Sequence, residues 1–292
     1  KITNDILNGS AIYGLAVNDL DKDGDLDIYV TTYRSNSIRN DKNIKFSFGK
    51  INDDTIIKSA KNIEKKIDYD PGRFYLNKKG NVFEASTPDY VIINNNNSLF
   101  EIVKASKYFN YIDNINNLDK NWGLGCIFAD LNNDYIDDLY ICNDLEGEDF
   151  VILSYGDKYV NGAYKFKGKS PMFSMGVDVG DFNNDGNPDI YVCDMLDYDL
   201  LERKNHTIRY PYLKFNNKPP FISIENNRNM LFTSDSDHNY EEIAYFSNVD
   251  ASNWSWCPIF VDINLDGYQD LFITNGFGYD LENINLTKNI IN

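Results

Sequence analysis

The chain has 292 residues, 42% of them hydrophobic and 14% aromatic, so it is long and apolar enough to bury a sizeable core. Its 45 Asp and Glu against 28 Lys and Arg give a formal charge of −17, which argues against nucleic acid and anionic membranes as partners and favours cations. No apolar run approaches the roughly 18 residues that cross a bilayer. The four cysteines are too few for a disulfide framework. We expect mostly buried free thiols, with a single disulfide bond as the alternative.

In chain order, one pattern occurs four times: a short apolar run, a nine-residue acidic loop and a second apolar run. The loops, numbered 1 to 4, span residues 19–27, 130–138, 181–189 and 262–270. Their flanks are rich in β-branched and aromatic residues, which predicts two strands joined by each loop as a hairpin.

A weaker unit downstream adds two outer strands to a repeat, at residues 149–166 for the second and 230–243 for the third. For the first repeat, residues 74–83 and 90–100 both fit, and the choice stays open. Two hairpins in series make a four-stranded antiparallel sheet, the unit of a propeller blade.

The sequence therefore predicts an all-β chain, a β-propeller of four-stranded antiparallel blades with irregular or short helical insertions. The expected blades are A at about 11–103 with an insertion at 34–72, B at about 122–168, C at about 172–247 with an insertion at 196–227, and the start of D at about 254–280. A further insertion is expected at roughly 86–121 and a short helix at 196–204. Because a ring needs four to eight blades, we expect part of a larger propeller of about seven, completed by another chain or a missing segment.

Within each loop, oxygen-bearing side chains fall at positions 1, 3, 5 and 9, and the backbone carbonyl at position 7 would complete the set. Calcium takes six to eight oxygen ligands, whereas zinc prefers nitrogen and sulfur, so the pattern predicts up to four calcium ions. The candidate ligands are Asp19, Asp21, Asp23, Asp25 and Asp27 in loop 1; Asp130, Asn132, Asp134, Ile136 and Asp138 in loop 2; Asp181, Asn183, Asp185, Asn187 and Asp189 in loop 3; and Asp262, Asn264, Asp266, Tyr268 and Asp270 in loop 4.

Position 6 of each loop is expected to need a left-handed backbone, and it is glycine in loops 1, 3 and 4. Loop 2 has Tyr135 there, which predicts the weakest of the four sites. An EF-hand is excluded because position 12 is a strand-forming hydrophobic residue and not glutamate. The plain alternative is that Asp-Asn-Gly clusters only form hairpin turns, which four copies with one oxygen spacing make unfavourable.

These motifs, above all residues 173–190, 193–196 and 254–276, resemble the FG-GAP/VCBS repeat proteins, close to bacterial multi-repeat members and related in architecture to integrin α-subunit propellers and cartilage acidic protein. The resemblance covers about residues 11–33 and 122–280. It implies a propeller with calcium in its loops, located extracellularly, at the cell surface or in the periplasm. It also implies a scaffold for adhesion or for binding an unidentified protein or glycan ligand. Tyr135 departs from the family pattern.

Aromatic and other large apolar residues recur before each of loops 2 to 4, at Trp122, Phe173 and Trp254 and two residues further on. Packing between blades is the favoured interpretation of these rows, with a sugar-stacking platform as the alternative. His206 and His238 have no catalytic context, and no nucleophile elbow or phosphate loop occurs, so we expect no enzyme and no catalytic residues. The rival functions are a structural subunit of a large assembly and, third, a polysaccharide hydrolase or lyase.

Overall fold

The computed structural model describes residues 7, 11–33, 43–51, 54–69, 71–76, 80–84, 86–95, 99–109, 112, 118–144, 148–156, 158–205 and 224–276. Its strands are β1 (Ile12–Asn18), β2 (Asp27–Thr32), β3 (Ile44–Ile51), β4 (Asp54–Asn62), β5 (Ile67–Tyr69), β6 (Phe74–Leu76), β7 (Val82–Glu84), β8 (Tyr90–Asn95), β9 (Leu99–Lys104), β10 (Gly123–Ala129), β11 (Asp138–Asn143), β12 (Phe150–Tyr155), β13 (Lys158–Asn161), β14 (Lys169–Pro171), β15 (Val177–Gly180), β16 (Asp189–Val192), β17 (Ile224–Asn226), β18 (Met230–Ser234), β19 (Tyr240–Glu242), β20 (Ser255–Val261) and β21 (Asp270–Asn275). The helices are α1 (Ala105–Tyr108) and α2 (Leu200–Asn205), with 3-10 turns at Pro71–Arg73, Leu118–Lys120 and Ala163–Phe166. Neither α-helix within these ranges has the length and apolarity to cross a bilayer.

Three four-stranded sheets follow one another along the chain, and a two-stranded hairpin follows the third. Blade A has the strand order β1-β2-β8-β9, blade B β10-β11-β12-β13 and blade C β15-β16-β18-β19, while blade D is described as β20-β21. Every neighbouring pair within these sheets is antiparallel. The prediction of an all-β fold with four-stranded antiparallel blades is confirmed.

Successive blades pack with their first strands side by side, β1 on β10, β10 on β15 and β15 on β20. Glycine permits this approach: a Cβ atom added to Gly125 would lie 2.9 Å from the Gly176 Cα atom, and one added to Gly176 would lie 2.2 Å from the Trp256 carbonyl oxygen. Blade D has Cys257 at the equivalent position, five residues before its acidic loop.

The hydrophobic core lies between the blades, because each sheet contributes alternate residues of its second and third strands to two different clusters. Tyr29, Val91 and Ile93 of blade A pack with Leu139, Ile141 and Ile152 of blade B. Tyr140, Val151 and Leu153 of blade B pack with Ile190, Val192 and Phe232 of blade C. The third cluster joins blades C and D and includes Phe173, Met175, Trp254 and Trp256. These residues of the aromatic rows are therefore packed between blades, as favoured from the sequence.

For blade A the structure selects the second of the two candidate strand pairs. Residues 90–95 and 99–104 form β8 and β9 of the blade, so the expectation of an insertion at 86–121 was wrong over these residues. The inserted segment instead runs past residue 72 to the start of β8: β3, β4 and β5 form one antiparallel sheet and β6 pairs with β7 in another. The apolar residues around Phe74 were ambiguous because they pack against Phe46 and Tyr69 within the insertion.

The outer strand of blade B was also misplaced. Residues 164–166 lie in a 3-10 turn, and β13 comes earlier, with Lys158 opposite Tyr155 of β12. Phe166 does not form a strand because its ring stacks on Tyr240 of blade C at 4.5 Å between ring centroids and packs in the core between the two blades. Gly156, which follows β12 and has φ of 71°, was the signal that the chain turns before residue 164.

The helix expected at 196–204 begins four residues later and ends one residue later, as α2. Part of the blade C insertion, residues 206–223 with His206, lies outside the described residues, as do residues 277–280 of blade D. All four cysteines are free: Cys142 and Cys193 are buried, Cys126 is partly buried and Cys257 is exposed.

Candidate metal centre

The last carboxylate of each loop fixes the loop to its blade. One oxygen of Asp138 accepts the Leu131 N–H at 3.0 Å, at position 2 of the same loop, and the other accepts the Ser154 N–H of β12 at 2.6 Å. Asp27 makes the same two bonds in blade A, to Leu20 and to Asn94 of β8. In blade C, Asp189 accepts the N–H groups of Phe182 in loop 3 and Ser234 in β18. In blade D, Asp270 accepts the N–H of Ile263 at position 2 of loop 4. Position 9 therefore ties each loop to its own start and, in blades A to C, to the third strand.

The remaining acidic side chains organise the turn from inside. In loop 3, Asp181 accepts the N–H groups of Asp185 and Gly186 at 3.0 and 2.8 Å, and Asp185 accepts the Asn187 N–H at 2.8 Å. The bonds from position 6 to position 1 and from position 7 to position 5 recur in loops 1, 2 and 4. Four sequence copies thus fold into one loop geometry.

Each loop contains two residues with left-handed backbone, at positions 4 and 6. Position 6 was expected from the sequence, and Tyr135 adopts φ of 68° there although it is not glycine. Position 4 was not expected: Lys22, Asn133, Asn184 and Leu265 have φ of 62°, 58°, 58° and 63°. Only the two asparagines gave a signal, because asparagine tolerates this region better than lysine or leucine.

Replacing Tyr135 with glycine is expected to stabilise the protein by about 1 kcal/mol, because the left-handed conformation penalises every residue with a Cβ atom. The tyrosine side chain is 95% exposed, so little packing is lost. Gly186→Ala is the matched reverse change: an added Cβ atom meets nothing within 4 Å, and a loss of about the same size is expected from the backbone alone. Urea unfolding of both variants at saturating calcium measures the two effects; equal stability of Tyr135→Gly and the parent protein would contradict the strain.

Loop 1 brings three carboxylates together. Asp19, Asp21 and Asp27 each offer one oxygen, and these oxygens lie within 4.8 Å of one another, the only such group of acidic, histidine or cysteine side chains in the described part of the chain. Burial, followed by repulsion from Asp27, raises the pKa of Asp21. Asp19 Oδ1 is buried and accepts no hydrogen bond from any described residue. A buried carboxylate oxygen without a donor, beside two more carboxylates, fits a hard cation bound by oxygen.

Loops 2 to 4 have asparagine at position 3, so they carry fewer carboxylates than loop 1. Burial raises the pKa of Asp138 to about 7 and that of Asp189 to about 6, even though each accepts two backbone N–H groups. The predicted side-chain ligands at positions 1 and 5 make the same hydrogen bonds in all four loops, and position 9 accepts the position 2 N–H in all four. Calcium ligation by the position 7 carbonyl oxygens, those of Asp25, Ile136, Asn187 and Tyr268, stays a prediction. The structure shows that the N–H groups of these residues donate to the position 5 carboxylates.

A second set of buried polar residues lies at the ends of blades A and B that are remote from the loops. Asp149 precedes β12; its carboxylate accepts the Tyr140 hydroxyl at 2.7 Å, the Asn143 N–H at 2.8 Å and the Ser174 hydroxyl at 2.8 Å, the last from the segment that leads into blade C. Asp89 has the same role in blade A, with Tyr29, Thr32 and Asn121 as donors. Sequence reasoning missed these links between blades; the signal was the tyrosine two residues after each of loops 1 to 3.

Replacing Asp149 with asparagine is expected to flatten the dependence of stability on pH. Burial raises the pKa of Asp149 to about 7, above the roughly 4 of an unfolded chain, so the contribution of this carboxyl group to stability is most favourable below pH 4 and is lost as pH rises to 7. The difference corresponds to roughly 4 kcal/mol for this group. Blade C already has Asn229 at this place, bonded to the Asp194 N–H and the Ser252 hydroxyl, so asparagine fits the site. Urea unfolding at constant calcium between pH 4 and 7.5 measures the slope, and the same slope in both proteins would refute this assignment.

Residues 130–192, from the start of loop 2 to the end of β16, match the family model of the FG-GAP-like repeat. This segment is similar to an FG-GAP-like repeat. The FG-GAP-like repeat includes loops 2 and 3, and loops 1 and 4 share their hydrogen-bonding pattern although they lie outside the matched residues. The resemblance inferred from the sequence is thus confirmed at the level of the repeat family. A comparison with curated proteins gives no significant match.

Proposed function

We propose that the chain binds calcium in its four acidic loops and serves as a non-catalytic scaffold that binds a protein or glycan ligand outside the cytoplasm. The observation that carries the proposal is the donor-free, buried Asp19 Oδ1 beside the carboxylates of Asp21 and Asp27. Further support comes from the same ligand spacing and hydrogen-bonding pattern in all four loops.

Calcium would neutralise three or four carboxylates per loop, and four ions would change the formal charge by +8, from −17 to −9. Bare loops of this kind oppose folding through repulsion, so the ions have a structural role in the proposal. Sites with this ligand set suit the high calcium concentration outside cells, which supports an extracellular, cell-surface or periplasmic location.

Titration calorimetry on metal-stripped protein tests the calcium sites. The proposal predicts up to four calcium ions per chain in the parent protein and one fewer, or a loop 1 affinity at least tenfold weaker, in Asp21→Ala. Asp25→Asn is the matched control: it removes a charge from the same loop but keeps the backbone carbonyl that is the predicted ligand, so the count is expected to stay unchanged. Absence of calcium binding in the parent protein would reject the proposal.

A glycan array, probed with and without calcium, tests the scaffold role. Calcium-dependent retention of one class of glycan would support a role as a glycan-binding adhesion scaffold. Turnover of a polysaccharide would instead assign a hydrolase or lyase and contradict the non-catalytic role.

One observation favours the second candidate, a structural subunit whose propeller is completed by another chain. Phe272 of β21 is 49% exposed, whereas its equivalents Tyr29, Tyr140 and Tyr191 are 0%, 2% and 0% exposed. On the same face of blade D, Ile259 and Val261 are 41% and 39% exposed. In blades B and C, the corresponding face is covered by the next blade.

Cys257 provides the test of this second candidate, because it lies on β20 and is the exposed thiol among the four. A maleimide probe is expected to label Cys257 readily in the isolated chain and slowly in material purified from its native source with a partner at fixed stoichiometry. The buried thiols of Cys142 and Cys193 serve as internal controls for unfolding. A partner-free, fully labelled monomer from the native source would contradict this candidate.

A further inference from the structure

The acidic loops of neighbouring blades are joined by side-chain amides at position 4. The Asn133 Nδ2 group of loop 2 donates to the Gly186 carbonyl of loop 3 at 3.3 Å, and the Asn184 Nδ2 group of loop 3 donates to the Gly267 carbonyl of loop 4 at 2.9 Å. Both bonds connect position 4 of one loop with position 6 of the next. They are separated by 53 and 83 residues along the chain, so they are contacts between blades and not part of the local turn.

The accepting peptide is itself part of the neighbouring site. The carbonyl of Gly267 receives the amide of Asn184, while the N–H on the other side of the same peptide bond, from Tyr268, donates to the Asp266 carboxylate at 2.9 Å. In loop 3 the peptide between Gly186 and Asn187 is held in the same way, by Asn133 and Asp185. Each linking amide therefore contacts a peptide whose orientation depends on a position 5 carboxylate, a proposed ligand.

The donating end is equally constrained. Asn184 has φ of 58° and lies between Asn183 and Asp185, the proposed ligands at positions 3 and 5 of its own loop. Asn183 Oδ1 accepts the Asp185 N–H at 3.0 Å, so the backbone on both sides of Asn184 is fixed by the loop conformation. A loop that is ordered holds its linking amide in place, and a neighbour that is ordered presents a fixed carbonyl to it.

Loop 1 has no such amide. Its position 4 is Lys22, an exposed side chain with the same left-handed backbone but with a long, flexible stem in place of the short planar amide. Loop 4, at the other end of the row, has Leu265 at position 4, which has no donor and is 87% exposed.

We propose that loops 2, 3 and 4 bind calcium cooperatively through the amides of Asn133 and Asn184, and that loop 1 binds independently. The inference rests on the proposed calcium function. When calcium binds to one loop, it orders either the position 4 amide or the position 6 carbonyl through which that loop is hydrogen-bonded to its neighbour. The neighbouring loop is then closer to its own calcium-binding conformation. By linkage the effect is reciprocal between the two loops of each pair.

The test isolates one pair of loops at a time in the full chain. Asp21→Ala and Asp134→Ala together leave loops 3 and 4 for titration with calcium in a competing chelator. We expect the first ion to raise the affinity for the second by about fivefold, the low end of measured couplings between sites. Adding Asn184→Gly, which tolerates the left-handed backbone, is expected to bring this factor to about one with both ions still bound. Leu265→Gly in the same background changes the equivalent position without removing a donor and should leave the coupling unchanged.

A second set of variants keeps the test decisive if that background folds poorly, as judged by near-ultraviolet circular dichroism. In the otherwise unaltered chain, Asn184→Gly and Asn184→Asp, which also has no donor, should both lower the Hill coefficient of the titration. Two bound ions with a factor of five that survives Asn184→Gly would overturn the coupling while leaving the calcium function standing. No calcium binding in any variant or in the parent chain would overturn the calcium function and this inference with it.

Discussion

Replacing Asp138 with alanine is expected to lower the free energy of unfolding by roughly 2–6 kcal/mol, because two backbone N–H groups lose their acceptor and each costs about 1–3 kcal/mol when left unpaired. These donors, on Leu131 and Ser154, connect loop 2 to its own start and to the third strand of blade B. Asp138 is 1% exposed, so both of its hydrogen bonds are shielded from solvent. Most of the loss should persist in chelator, since these bonds involve no metal.

Urea unfolding, with and without chelator, measures the effect. Asp137→Ala is the matched control, because Asp137 is adjacent and acidic but exposed, and a change within about 0.5 kcal/mol is expected there. Equal losses in the two variants would contradict the anchoring role of position 9.

Removal of calcium is expected to lower the melting temperature by about 5 °C for each loop that was occupied. An ion at a hundred times its dissociation constant stabilises the folded state by about 2.7 kcal/mol, and a large domain shifts by roughly 2 °C for each kcal/mol. The loss has a physical cause in the loops themselves, as in loop 1, where the carboxylates of Asp19, Asp21 and Asp27 converge and repel one another when no cation is bound.

Calorimetric melts in calcium and in excess chelator measure this shift, and magnesium in place of calcium distinguishes the specific site from general charge screening. Asp21→Ala should show a smaller chelator shift than the parent, while Asp25→Asn should match it within the effect of one surface charge. An identical melt with and without chelator would contradict a structural role for the ions.

The repeat was predictable because its physical requirements are local. A loop that places oxygen atoms at positions 1, 3, 5 and 9 between two β-rich flanks specifies a hairpin, its turn and its candidate ligands within about fifteen residues. Position 9 shows what the sequence could not reveal. Asp138 was predicted as a ligand, but its bond to the Ser154 N–H depends on the third strand of the blade, sixteen residues away.

The errors have the same origin. Phe166 resembled the start of a strand, but tertiary packing against Tyr240 decides its conformation. The residues around Phe74 resembled an outer blade strand, but they pack within the inserted sheets. Neither contact leaves a periodic signal in the sequence, because both partners are remote along the chain.

The links between blades were likewise hidden. In the sequence, nothing distinguishes Asp149 from the other acidic residues of an acidic chain. The structure shows that its carboxylate is buried and accepts hydrogen bonds from the hydroxyl groups of Tyr140 and Ser174. The sequence pattern indicates only that Asn133 and Asn184 are turn residues. The structure shows that their side-chain amides donate hydrogen bonds to carbonyl groups of the next loop. Sequence patterns therefore identify what each repeat contains, while the contacts between repeats need coordinates.

The most direct test of calcium binding by the loops is the location of the ion by anomalous scattering in crystals grown with calcium. The calcium proposal predicts one peak inside each acidic loop, surrounded by six to eight oxygen atoms at about 2.3–2.6 Å, including side chains of positions 1, 3, 5 and 9 and the carbonyl of position 7. Loops that keep their hydrogen bonds at full calcium concentration but show no anomalous peak would contradict it.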